Sequence, residues 1–273
     1  MATVNRDGYA PQVAIARMVD KETDAHGWRV TSEEHAWESY NESGFIDIVL
    51  EHKSNLAVLI LECKRLTASE WIFTNTDGES EPRRHARVLR WDWDVTNDKT
   101  MYDVSAREHR SIRSRWVDEA LEPPSPEANF CSSVHDGVKG IDLNSIASEL
   151  VASCEALVQE EADYLPRLRG SFSRLYLPLI VTTASIKICA FDPHAVSLDD
   201  GQLPKGTTFA DHSFVRFTKQ LSTRDKATRL SVKLSDVARA KERTIIVVNA
   251  IYLNTFLRAF SPDSFPHDFT SML

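Results

Sequence analysis

Glycine is scarce in this chain, nine in 273 residues, and no G-x-G-x-x-G or phosphate-loop pattern is present. Nucleotide-cofactor chemistry of those kinds loses its usual backbone cradle. There is no G-x-S-x-G elbow for a Ser–His–Asp hydrolase, and the nine histidines form no H-E-x-x-H pair for a zinc protease. Cysteine is equally sparse. Cys63, Cys131, Cys154 and Cys189 are scattered without C-x-x-C or Cys/His metal spacing, which predicts reduced thiols and no zinc module. No apolar run approaches the roughly twenty residues that span a bilayer. The opening MATVNRDGYAPQ has no apolar signal core, so a cytoplasmic protein without a membrane partner is expected. Neither a repeat nor a low-complexity tract is apparent. A net charge of −8 is not that of a protein that coats nucleic acid over its whole surface. A local basic surface would still hold phosphates, so the distribution of charge matters more than the total.

What is present is a stretch of 22 residues, GFIDIVLEHKSNLAVLILECKR from Gly44 to Arg65, with charges inside apolar runs. Gly44–Glu51 and Leu56–Cys63 read as neighbouring strands, the second a buried central one. Side chains alternate along a strand, so Glu62 and Lys64 share a face while Cys63 points the other way. Burying Asp47, Glu62 and Lys64 together is costly unless they pair or bind a cation. Two acids from adjacent strands offer hard oxygens to Mg²⁺, and a lysine one pleat along is set to steady a water or a developing phosphate charge. The alternative is a buried Glu62–Lys64 ion pair without chemistry.

Asp47, fourteen intervening residues, then Glu62-x-Lys64 resembles the PD-(D/E)xK, or restriction-endonuclease-like, nucleases. Gly44 precedes the aspartate as in that family, whereas Ile46 stands where its motif has proline. The resemblance implies an α/β fold with an αβββαβ core, a mixed central sheet flanked by helices. It also implies a Mg²⁺ cofactor, with Mn²⁺ able to substitute. Asp47, Glu62 and the backbone carbonyl of Cys63 would hold the metal, and Lys64 would position or activate the water. Members often add a further glutamate from the first helix or strand, for which Glu22 and Glu34 are the candidates. An ordinary surface carboxylate is the competing reading of each.

The rest of the chain fits that order. Pro11–Glu22 reads as a helix with Val13, Ile15, Ala16, Met18 and Val19 apolar, ended by Gly27. Trp28–Tyr40 reads as a strand with Trp28, Val30, Glu34 and Ala36 on one face. Leu66–Asn144 is too long for an ordinary loop and reads as an insertion after the third strand, with its own structure or function. There Arg83, Arg84, Arg87, Arg90, Arg110 and Arg113 are interleaved with Trp71, Trp91, Trp93 and Trp116. Arginines with aromatics suit phosphates and unpaired bases, and a small tryptophan core under a charged face is the alternative. Ser145–Leu165 is a helix, capped by Asp142, Asn144 or Ser145. Tyr176–Thr182 and Ile186–Phe191 read as strands, with Pro178 hinting at a sheet edge. Lys205–Arg243 turns basic again, and Lys219, Arg224, Lys226 and Arg229 are candidates for a second nucleic-acid contact. Thr244–Asn249 reads as a last buried strand, and Ala250–Phe260 as a helix on it. The segment 205–273 is expected to pack on the core as a C-terminal extension of one nuclease-like domain spanning 1–273.

These readings converge on a Mg²⁺-dependent nuclease, with DNA the expected substrate, a homodimer or protein partner as further expectations, and restriction, phage defence or repair as the setting. The rival is a catalytically inactive nucleic-acid-binding or regulatory module with the same fold.

Overall fold

The computed structural model describes residues 9–39, 42–66, 69–76, 88–94, 99–103, 126–135, 138–139, 142–164, 172–221 and 241–260. In chain order the elements are helices α1 (Tyr9–Lys21) and α2 (Thr23–His26), then strands β1 (Trp28–Ser39), β2 (Glu42–His52) and β3 (Ala57–Lys64). Next come β4 (Ser69–Thr76), β5 (Leu89–Asp94), β6 (Lys99–Asp103), β7 (Glu127–Ala128), β8 (Phe130–His135) and β9 (Val138–Lys139). Helix α3 (Leu143–Tyr164) precedes β10 (Phe172–Thr182), β11 (Ser185–Phe191), β12 (Thr208–His212), β13 (Phe214–Gln220), β14 (Glu242–Asn249) and α4 (Leu253–Ala259).

This is an α/β protein with two mixed sheets. The larger runs β1-β2-β3-β10-β14-β13-β7, and β5 joins it beside β10 with β6 outside. β1, β2 and β3 form an antiparallel meander, and β3, β10 and β14 are mutually parallel. The smaller runs β12-β11-β4-β8-β9. Val58, Leu59, Ile60 and Leu61 of β3 are at most 1% exposed, as a strand covered on both faces requires. On one face Leu59 and Leu61 meet Ile15, Ala16 and Val19 of α1 and Leu253, Phe256 and Leu257 of α4. On the other, Val58 and Ile60 meet Ile146, Leu150, Cys154 and Leu157 of α3, together with Trp71, Phe73, Ile186 and Ile188 of the second sheet. At about 1.5–3 kcal/mol per buried aliphatic side chain, these layers hold β3 in place whatever its polar end costs.

Several boundaries follow their local signals. Gly27 closes α2 in the left-handed region at φ 76°, its N–H donating to the Thr23 carbonyl. Asp142 caps α3 by accepting the Asn144 N–H at 3.0 Å. The cysteines are free, as expected. Among the described residues no helix is long and apolar enough to cross a membrane.

Other expectations change. Val13 is 47% exposed, and the buried stripe of α1 is Gln12, Ile15, Ala16 and Val19. Pro178 lies in a central strand. It stands where pairing with β5 ends at Tyr176 and pairing with β14 begins at Leu179, so the missing N–H falls at a change of neighbour. The two strands expected after the long helix lie in different sheets, because the chain crosses from one to the other between Thr182 and Ser185. The described part of 66–144 is woven into both sheets, β5 pairing with β10 and β4 with β11, and Trp71 belongs to the shared core.

Candidate active site

The antiparallel ladder between β2 and β3 runs from Glu51↔Val58 to Ile48↔Leu61 and stops there. One residue further on, a side chain replaces the backbone. Asp47 Oδ2 accepts the Cys63 N–H at 2.6 Å, a short charge-assisted bond across the parting strands. β3 continues beside β10, Glu62 opposite Ile180 and Lys64 opposite Thr182, and the Thr183 N–H donates to the Lys64 carbonyl at 3.2 Å. The motif residues therefore lie at the carboxyl ends of two parallel strands, where α/β sheets commonly receive ligands.

Cys63 packs with Leu61 against the α1 side, as the alternation requires. Glu62 and Lys64 point the other way, towards α3, and the Lys64 ammonium pairs with the Glu62 Oε1. Burial works against the Lys64 charge, but the charge and hydrogen bond of Glu62, then Asp47 and Glu149 of α3, outweigh it and raise its pKa. Asp47 is shifted towards neutrality. Burial first, then the Glu62 charge and more weakly Glu34, raise its pKa to about 6 against the Cys63 bond and Lys64.

Glu34 reaches this group by an unusual route. It lies between the pairs Glu33↔Ile48 and His35↔Ile46, hence beside Asp47, and its φ is +51°. A non-glycine residue held there costs on the order of 1–3 kcal/mol and persists only when its surroundings fix it. The ladder pairs on either side fix that backbone, and Gln12 of α1 fixes the side chain, donating from Nε2 to Glu34 Oε1 at 2.5 Å and to the Asp47 carbonyl at 2.9 Å. A register shift between Val30 and Ser32 breaks the alternation assumed from the sequence, and Glu34 is exposed rather than inward.

Not every expected residue arrives. The Glu22 carboxylate is taken by Arg258 Nη2 at 2.5 Å, and it is not among the charges acting on Asp47. Arg90 pairs with Leu175, which is level with Ala57 at the start of β3. Lys219 pairs with Arg243 at the start of β14 and lies 5.1 Å from the centre of the Phe130 ring. Both sit at the opposite end of the sheet from Lys64, about 20 Å away at roughly 3.3 Å per residue. Arg83, Arg84, Arg87, Arg110, Arg113, Arg224, Lys226 and Arg229 lie outside the described residues. Within the basic 205–243 segment, Arg216 and Arg243 are buried, ion-paired to Glu127 at 3.1 Å and Glu155 at 3.5 Å, so they add nothing to a surface. Gln12 and Glu149 were not anticipated. The one signal for Gln12 is that it stands three, four and seven residues before Ile15, Ala16 and Val19, a polar residue on an apolar stripe.

Asp47, Glu62 and Glu34 face one cation, Lys64, which leaves two formal negative charges uncompensated among these four side chains. That donor chemistry fits a hard divalent cation. Among the described residues no three His, Cys, Asp or Glu side chains are grouped as a ready metal cage. Mg²⁺ needs none, since it keeps several waters and is commonly bound through one or two carboxylates. No family model, curated protein or solved structure matches the chain.

Proposed function

We propose that this chain is a Mg²⁺-dependent nuclease of the PD-(D/E)xK type, hydrolysing phosphodiester bonds in DNA. The observation that carries the reading is the meeting of Asp47 with Glu62-x-Lys64 where β2 and β3 part, through the Asp47–Cys63 bond and the Glu62–Lys64 pair. Leaving aside β4–β9, which lie between β3 and α3, the order of helix, three antiparallel strands, helix and parallel strand supports it, matching the αβββαβ core that the resemblance implies. The excess of carboxylate over ammonium is a second support.

Asp47 and Glu62 would hold the metal, with the Cys63 carbonyl as a further oxygen donor and the Glu34 charge beside Asp47. Mg²⁺ bound there would supply a Lewis acid for a phosphoryl oxygen and favour loss of a proton from a nearby water. Asp47 is ionised in most molecules at pH 7 and so is ready to coordinate. Lys64, kept charged by Glu62, would orient the water and stabilise charge growing on the phosphate. Nucleic-acid contacts from the two basic segments belong to this reading as proposals.

A second reading, an inactive module of the same fold, draws on one observation. Lys64 already neutralises Glu62, so the pair is complete without a metal. The deciding experiment incubates supercoiled plasmid, linear duplex, single-stranded DNA and RNA with Mg²⁺, Mn²⁺ or EDTA, beside Asp47→Ala and Lys64→Ala. Metal-dependent cutting lost in both variants is the expected result. No cutting, together with no Mg²⁺ uptake in calorimetry, would leave the inactive module.

A further inference from the structure

We infer that Gln12 is a positioning residue of the Asp47 site: its side-chain amide holds Glu34 beside Asp47 and thereby sets the affinity of this carboxylate group for a divalent cation. The inference rests on the metal-dependent reading above and adds a residue of the first helix to it.

The geometry fixes the direction of the amide. An NH₂ group has two donors, and both are used, one on Glu34 Oε1 at 2.5 Å and one on the Asp47 carbonyl at 2.9 Å. An ionised carboxylate and a backbone carbonyl only accept, so the reversed amide would set oxygen against oxygen. Gln12 is 5% exposed and stands on the stripe of α1 that packs into the core. A buried amide is costly unless bonded, and these two bonds are its compensation. Glu34, by contrast, is exposed and has water available to it. Beside Asp47 it meets a like charge, and its backbone is held at φ +51°. Left to itself its carboxylate would turn outward. The Gln12 bond is what counters the repulsion and keeps the Glu34 charge next to Asp47, where it adds to the pull on a cation. Because the same nitrogen grips the Asp47 backbone, the two acids are held by one group on a rigid helix. The Asp47 backbone is already set by the pairs of Ile46 and Ile48 with β1, so that second bond anchors the amide, and Gln12 acts on the metal through Glu34.

The test is calorimetric titration of the full chain with Mn²⁺ and Mg²⁺ at neutral pH. Wild type is compared with Gln12→Met, Glu34→Asn and the double variant, and circular dichroism reports the fold. Asn accepts the left-handed backbone but is too short to reach Gln12. Each single variant is expected to weaken cation binding about tenfold. The double variant should be no weaker than Glu34→Asn, since a residue acting through another has nothing left to contribute. Unchanged binding in a folded Gln12→Met protein would overturn the inference. So would a full further loss when Gln12→Met is added to Glu34→Asn. If Gln12→Met fails to fold, Glu34→Asn carries the test alone, and unchanged affinity there overturns it. Absence of cation binding by wild type is a different failure, since it removes the metal-dependent reading itself and this inference with it.

Discussion

Asp47 and Cys63 are joined by a hydrogen bond that occupies the position of a missing ladder bond: where β2 and β3 stop pairing, the Asp47 carboxylate accepts the Cys63 N–H at 2.6 Å. The bond ties the first motif acid to the residue between the other two motif members. It also keeps one Asp47 oxygen inside the protein, beside Glu62 and Lys64.

The consequence for pH is specific. Folded, the Asp47 carboxyl keeps its proton up to about pH 6, whereas a carboxyl in the unfolded chain releases it near 3.8. Between those values the folded state binds more protons, so stability falls as pH rises through that window. The full effect is on the order of 3 kcal/mol above pH 6, from about 1.4 kcal/mol per pH unit. Urea unfolding in EDTA at pH 4, 5, 6 and 7 should show this slope in wild type, and Asp47→Asn should remove it.

Lys64→Met separates chemistry from charge balance. Cleavage should fall by at least about a hundredfold, the range for loss of a group acting on the proton or charge in the transition state. Mg²⁺ binding should be kept or tightened, because Glu62 loses its resident cation. Loss of binding together with activity would mean that Lys64 only supports the site.

At the far end of the sheet, Arg174 Nη1 and Nη2 contact Glu161 at 2.9 Å and Glu51 at 2.7 Å, and Tyr176 also donates to Glu161 at 2.6 Å. Arg174 is only 6% exposed. Arg174→Ala would take from Glu161 its cation and leave Glu51 with Arg29 alone, and should destabilise the protein by about 3 kcal/mol. Equilibrium denaturation measures this, and a loss below about 1 kcal/mol would mean that water reaches the cluster.

Gly27→Ala should cost at least about 1–2 kcal/mol by thermal or urea unfolding. Its φ is +76°, and an added Cβ would fall 2.5 Å from His52 Nε2. Asn at this position eases the backbone but not the clash, so it should rescue little.

The sequence by itself determined the local elements and the central motif. The apolar run AVLIL predicts a strand covered on both faces, and period-two alternation sets Glu62 and Lys64 opposite Cys63. These are properties of a few consecutive residues, and burial of their side chains is enough to enforce them. Only the tertiary structure decided the surroundings of the site. Glu34 reaches Asp47 through a register shift and a left-handed residue in mid-strand, neither of which has a sequence period. Gln12, 35 residues from Asp47, is recruited because α1 packs on that face of the sheet. Arg216 and Arg243 count as basic surface in a composition and turn out to be buried ion pairs. Charge along a chain is additive, but its exposure depends on which strands become neighbours, and that is fixed by long-range packing.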